Sequence, residues 1–260
     1  MPKLAVGFPW GSPFMYTDWV DQALEMSSPP GWDVKWFRGL GWCPARRHAD
    51  LCEKALKWGA DYICIIGADQ RHPVDMFPRL VERIQQGYEV VSALVPCRGY
   101  VSWQPMRPFQ PMAWRFKYNE PGDFTLQTYE GMAKDSHKVH VIDPKDGEMQ
   151  RVNFIGSGVL MFHRDHLLSL KRPWFKETID PESFQRLANQ DCVFVWRLQQ
   201  EAHAKVWVDT TIQVQHLHIF RIDETYQHRF EDWTLGDGDP AICRYGVPNT
   251  PPVTVARHEG

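Results

Sequence analysis

Five consecutive residues, Tyr62, Ile63, Cys64, Ile65 and Ile66, form an apolar run between Gly59 and the polar turn Gly67-Ala68-Asp69-Gln70. A run this short, bounded by Gly and Asp, predicts a strand buried on both faces rather than a helix. Strands of that kind belong to parallel sheets covered by helices, which commits the chain to an α/β architecture. Open α/β sheets bind their ligands beyond the carboxyl ends of the strands. Asp69, just past such an end, is therefore the first candidate for chemistry, against the plainer reading of a turn carboxylate.

The flanking segments continue the alternation. Residues 3–8 (KLAVGF) predict a first strand, which leaves through the turn-rich loop 8–12. Residues 16–26 predict a helix with Trp19, Val20, Ala23 and Leu24 at helical spacing, and 33–38 (DVKWFR) a second strand. A helix over 45–58 carries Ala49, Cys52 and Leu56 on one face and ends at Gly59. Asp75 starts a helix over 75–86, and 89–95 (EVVSALV) is a further buried strand. The order β-α-β-α-β-α-β predicts a mostly parallel sheet with right-handed crossovers.

Between residues 96 and 151 the pattern lapses into prolines and aromatics, among them Tyr100, Trp103, Phe109, Trp114, Phe116 and Tyr118. This stretch reads as long functional loops or a short antiparallel insertion. Trp103 and Trp114 could stack on a sugar or base, or fill a core beneath the loops. Residues 153–163 predict a strand interrupted by Gly156-Ser157-Gly158, a bulge or a close approach of backbone to ligand. A short helix over 164–170 precedes Arg172-Pro173-Trp174-Phe175, and a helix over 189–202 opens Asn-Gln-Asp. Strands over 205–209 and 211–216 follow, the second ending in His216 on its apolar face. The Gly- and Pro-rich tail, 236–260, is expected to wrap the surface or to lack fixed structure.

A net charge of −3 provides no global basic field for nucleic acid. Six cysteines fall in no CxxC pair, and Cys52, Cys64 and Cys192 read as small buried hydrophobes, which suits a reducing compartment. Without a signal-like leader or an 18-residue apolar stretch, the expectation is a soluble, cytoplasmic protein with no membrane insertion. Asp69, Asp191 and His216 stand out as oxygen and nitrogen donors suited to a divalent ion such as Mn²⁺. Asp191, beside a helix N-terminus, suits an ionised carboxylate acting as general base. The three lie far apart in the chain, so spacing alone does not assemble them.

Six motifs in order supply a further clue: GADYICIIGADQRHP, VVSALVPCR ending at Arg98, GSGVLMFHR from Gly156, RPWF from Arg172, QDCVF from Gln190, and VDTTIQVQH ending at His216. Together they resemble the GT-A-fold glycosyltransferases of the family 2-like branch, over roughly Ala45 to His216. The resemblance implies a Rossmann-like, mostly parallel sheet flanked by helices in one domain, 1–235. Residues 1–98 would form the nucleotide-sugar half and 99–235 the acceptor half. Asp69 matches the second acid of the DxD motif that contacts the metal on the donor diphosphate, and His216 or His218 the late metal ligand. Asp191 matches the carboxylate that deprotonates the acceptor. Phe8, Pro9, Trp10, Arg46 or Arg47, Gln70 and Arg98 would bind the donor. Gly156, Ser157, Gly158, Trp103 and Trp174 would lie against sugar or acceptor. Two positions depart from the pattern: Gly67 stands where the first acid belongs, and Gln190 precedes Asp191 where a Glu is usual.

The implied activity is transfer of a sugar from a nucleotide-diphosphate sugar to a hydroxyl acceptor, assisted by Mn²⁺ or Mg²⁺. The acceptor is a glycan, a small molecule or a modified DNA base. The Arg46-Arg47-His48 cluster and the loop aromatics would suit a hydroxymethylated base in phage-type DNA. The alternatives are a nucleotidyltransferase, whose usual basic Gly-rich phosphate loop is lacking at residues 8–12, and a catalytically inactive nucleotide-sugar-binding module, suggested by Gly67.

Overall fold

The computed structural model describes residues 1–11, 15–96, 112–116, 139–179, 182 and 186–217. Strand β1 (Lys3–Pro9) leads to helix α1 (Thr17–Glu25), and β2 (Asp33–Gly39) to α2 (Pro44–Trp58). Gly59 ends α2 at φ 81°, the left-handed conformation that glycine adopts without penalty. Then come β3 (Tyr62–Ile66), the short β4 (Gln70–Arg71), α3 (Met76–Gln85) and β5 (Val90–Leu94). Next are β6 (Ala113–Phe116), β7 (Val139–Val141), β8 (Met149–Arg151) and β9 (Phe154–Ile155). The remaining elements are β10 (Val159–His163), α4 (Arg164–Leu168), β11 (Thr178–Ile179), β12 (Arg186–Ala188), α5 (Gln190–Gln200), β13 (Val206–Gln213) and β14 (Gln215–His216).

Seven strands form the central sheet in the order β2-β1-β3-β10-β5-β13-β8. β2, β1, β3, β5 and β13 run parallel, while β10 and β8 run against them. The architecture is thus the mixed α/β, mostly parallel sheet flanked by helices that the alternation predicts. Both faces of β3 are covered: Ile63, Cys64, Ile65 and Ile66 are all fully buried. The expected antiparallel insertion is present as the small sheet β7-β6-β9. The described residues fall in one compact unit, Met1–Pro105 with Gln110–His218. The second unit, Met106–Phe109 with Ile219–Gly260, lies outside the described residues and includes the whole Gly/Pro-rich tail.

Several sequence expectations shift in detail. The strand expected over 153–163 is cut at Gly156-Ser157-Gly158, and its halves join different sheets as β9 and β10. The strand expected over 205–209 and the start of that expected over 211–216 merge into β13, while residues 215–216 part from it as β14, and the register of β13 slips between Asp209 and Gln213. There Asp209 Oδ1 accepts from the Thr211 N–H at 2.9 Å, a local turn that throws out the intervening residues. Asp75 precedes α3 without capping it and pairs with Arg79 at 3.8 Å. Trp114 is buried in β6 and fills the core instead of offering a stacking face.

The face of α2 turned inward carries His48, Leu51, Cys52 and Ala55, rotated from the Ala49-Cys52-Leu56 stripe. Spacings of three, four and seven residues place all four on one helical face, so a histidine shares the apolar side. Many tryptophans are accounted for on the other face of the sheet. Trp19 and Trp36 meet edge-on at 6.3 Å, and Trp36 meets Phe77 at 5.7 Å. Trp19 also donates its indole N–H to the Gly67 carbonyl at 3.0 Å, tying this aromatic core to the turn that carries Asp69. Cys52 and Cys64 are buried, and burial pushes both thiols well above their ordinary range. Among the described residues no helix is long and apolar enough to cross a membrane.

Candidate functional site

A cleft of about 220 Å³ opens at the carboxyl ends of β1 and β3. It is lined by Pro9 at the end of β1 and Trp10 after it, by Gly67, Ala68, Asp69 and Gln70 after β3, by His48 on α2, and by Ser157 and Gly158. Because β10 is antiparallel to β3, its beginning lies beside β3's end, and the Gly67 N–H donates to the Gly158 carbonyl at 2.7 Å. This reversal brings two segments far apart in the chain to one opening.

Asp191 belongs to the same neighbourhood, in the first turn of α5. Its Oδ2 accepts from the Ser157 N–H at 3.2 Å and its Oδ1 from the Cys192 N–H at 2.9 Å. No side chain separates it from the turn, since a Cβ on Gly156 would lie 3.6 Å from Oδ2. Beside it His48 is buried, its ring 5.0 Å from that of Phe175. Burial holds the His48 imidazole below its ordinary range, against opposing pulls from the Pro44 carbonyl and the Asp191 charge.

Gln70 explains the unusual glycine at position 67. Its carboxamide is buried between Gly67 and Gly158, and a Cβ at either position would approach it to 2.6 or 2.4 Å. The amide thus fills the volume into which an acid at position 67 would project. Gln70 Nε2 lies 3.0 Å from His216 Nε2, and His216 Nδ1 lies 2.6 Å from the Pro96 carbonyl. A carbonyl only accepts, so Nδ1 carries the proton and Nε2 receives the Gln70 amide. Gln70 Oε1 is left without a hydrogen-bond partner.

Behind this pair His72 is buried, its imidazole pushed down to about 3 by burial although its ring donates to the Gly158 carbonyl. Gly67→Asp is expected to destabilise the fold by about 1–3 kcal/mol through overpacking against this amide. The double variant Gly67→Asp, Gln70→Ala should recover most of the loss in thermal denaturation, because the space is then vacated.

β14 pairs with β4, setting His216 opposite Gln70, and the Leu217 N–H donates to the Asp69 carbonyl at 2.8 Å. Asp69 and His216 are therefore neighbours, as the sequence motifs suggest. Both His216 nitrogens are nonetheless engaged by Gln70 and Pro96. Among the described residues no three His, Cys, Asp or Glu side chains converge as a metal cage. Among the described residues the donor set fits an ion that takes one carboxylate, Asp69, from the protein and its other oxygen ligands from a bound molecule.

The two candidate arginines part company. Arg46 forms a double hydrogen bond with Glu53 at 3.1 and 3.2 Å on the exposed side of α2. Arg47 lies across Gly11, where an added Cβ would come within 1.9 Å of its Cζ, and donates through Nε to the Gly41 carbonyl at 2.9 Å. Arg47 is thus the cation beside the loop after β1. With Arg46 paired and His48 buried, the basic cluster read from the sequence is not a continuous surface for phosphate tracking.

Phe8 packs between Trp19 at 4.9 Å and Trp36 at 6.4 Å, supporting the loop from below. Trp174 is 3% exposed with the Arg172 guanidinium 4.3 Å over its ring, so it offers no face to a sugar. Arg98, Trp103 and His218 lie outside the described residues.

No family model and no curated protein matches the sequence. Solved structures do resemble it. A197 from STIV is 14% identical, with 87% of this chain and 100% of that chain covered at a TM-score of 0.50. The likeness is one of fold alone. A UDP-glucose pyrophosphorylase complexed with UDP-glucose is 8% identical, covering 83% of this chain and 92% of that one at a TM-score of 0.42. The nucleoside-diphosphate-sugar pyrophosphorylase from Vibrio cholerae RC9 is 12% identical, covering 78% and 68% at a TM-score of 0.36. At such scores the two pyrophosphorylases are distant look-alikes, and the residues of the cleft carry the functional reading.

Proposed function

We infer that the chain is a nucleotide-sugar enzyme that transfers the sugar to a hydroxyl acceptor. The observation that carries this reading is that Asp69, Ser157 and Gly158 line one cleft beyond the parallel strands, with Asp191 bonded to the Ser157 N–H behind it. The nucleotide would lie along Pro9 and Trp10, which line the cleft, with its diphosphate toward Arg47, the cation beside Gly11. Asp69 would hold a divalent ion together with the diphosphate, and such an ion supplies Lewis-acid stabilisation of the departing charge. Asp191 takes the acceptor's proton as the acceptor oxygen bonds to the anomeric carbon and the carbon–phosphate-oxygen bond breaks. The helix N-terminus and the Ser157 N–H keep the Asp191 carboxylate oriented for that task.

Product analysis tests the reading. Incubation of the full chain with Mn²⁺ and a panel of UDP- and GDP-hexoses should release nucleoside diphosphate, slowly with water, which yields free sugar, and faster with an acceptor, which carries the sugar away as a glycoside. Pyrophosphate release from a nucleoside triphosphate and a sugar 1-phosphate would assign nucleotidyl transfer instead. Binding without turnover would leave a nucleotide-sugar-binding module. Arg47→Ala is expected to weaken nucleoside diphosphate binding about tenfold, whereas Arg46→Ala leaves it within about twofold. Isothermal titration of both variants checks this.

A further inference from the structure

Ser157 is held from two sides. His48 Nδ1 lies 2.8 Å from the Pro44 carbonyl, so that nitrogen carries the ring proton and Nε2 is bare. Nε2 lies 3.0 Å from Ser157 Oγ, which makes the serine hydroxyl the donor to His48. The Ser157 N–H is committed to Asp191. What Ser157 turns to the cleft is therefore a pair of oxygen lone pairs. A phosphate oxygen placed there would meet lone pair against lone pair, whereas a hydroxyl would find an acceptor.

The cleft's lining says whose hydroxyl this is. Its volume of about 220 Å³ is shared by Asp69 and Ser157. A ring reaching Ser157 while its phosphate lies at Asp69 belongs to the sugar donor. The imidazolium form, which would reverse the polarity, is disfavoured by burial of His48.

We propose that His48 and Ser157 are a sugar-reading pair: His48 is a positioning residue that turns Ser157 Oγ into an obligate acceptor for one hydroxyl of the donor's sugar ring. The inference rests on the nucleotide-sugar reading above and specifies which part of the ligand is recognised and by what polarity.

Titration of the full chain with nucleoside diphosphate, the parent nucleotide hexose, and its monodeoxy and monofluoro analogues tests the pair, with Mn²⁺ present throughout. Fluorine accepts but does not donate, so at one ring position both analogues should bind about tenfold more weakly than the parent. Ser157→Ala should weaken the parent by a similar factor, abolish that gap, and leave nucleoside diphosphate affinity unchanged. His48→Phe keeps a ring packed on Phe175 but frees the serine hydroxyl to donate, so the fluoro analogue should regain ground on the parent. A purely structural His48 would weaken all ligands alike. Equal binding of parent and fluoro analogues, or a gap that persists in Ser157→Ala, overturns the pair while leaving the nucleotide-sugar reading intact. Failure of every nucleotide and nucleotide sugar to bind overturns both.

Discussion

Asp191→Asn is expected to lower the turnover number for sugar transfer about 10²–10⁴-fold while changing donor affinity little. Asparagine is nearly isosteric and its carbonyl oxygen can still accept from the Ser157 N–H, so the turn should keep its shape, the bond lost being that from the Cys192 N–H at the start of the helix. What is lost is the lone-pair basicity that removes the acceptor proton. Single-turnover kinetics at saturating donor separate this chemical defect from binding. If Asp191 merely oriented the turn, Asn would retain most of the activity. Donor hydrolysis provides a parallel readout where the acceptor is unidentified. A matching drop there would place Asp191 against the attacking oxygen whether it comes from water or from an alcohol.

Asp209→Ala should cost about 3 kcal/mol of stability without touching the cleft. The Asp209 carboxylate is fully buried and accepts from Arg83 Nε at 2.8 Å and from the Thr211 N–H at 2.9 Å. Removing it leaves the Arg83 guanidinium and the Thr211 amide short of a partner and relaxes the register slip in β13. The loss is set toward the low end for a buried pair because Arg83 retains some access to water and also reaches Glu148 at 3.3 Å. In thermal denaturation it corresponds to roughly 6–12 °C for a chain of this size.

Its pH dependence has a definite sign. Burial alone would raise the Asp209 carboxyl, but the bonds from Thr211 and Arg83 outweigh it and hold the group below its ordinary value. A carboxylate depressed by folding stabilises fully above its unfolded value of about 3.9, and the contribution fades as pH falls through the folded value. The stability gap between wild type and Asp209→Ala should therefore be constant near neutral pH and close below about pH 4. A gap that widened in acid would contradict the role assigned to this carboxylate.

Strand β3 was legible because burial on both faces leaves a local mark, an unbroken apolar run. The break at Gly156-Ser157-Gly158 was legible because glycines interrupt a strand pattern, and at Gly158 the missing side chain makes room for the Gln70 amide. His48 was not, because its partner Ser157 is 109 residues away. One signal did exist: His48 stands three, four and seven residues before Leu51, Cys52 and Ala55, a polar residue on an apolar face. Gln70's occupation of the position-67 volume was invisible because it depends on Gly158, brought across by β10. Trp114 misled as a candidate for stacking since aromatic content in a loop-rich stretch does not distinguish a platform from a core, and Trp174, named through the RPWF motif, is likewise buried. Separating Arg47 from Arg46 required knowing that Glu53 claims the latter.

The place of β10 has a consequence for the order in which the molecule assembles on the ribosome. β3 and β5 are complete by residue 94, yet they do not touch; the gap between them is filled by β10, at residues 159–163. Until that segment emerges, both strands carry unpaired backbone edges flanked by fully apolar side chains. The nascent chain must close a loop of roughly a hundred residues before its central sheet becomes continuous, a slow and aggregation-exposed step. The same closure creates the Gly67-to-Gly158 bond that shapes the cleft, so the cleft cannot take its form before residue 158 has emerged.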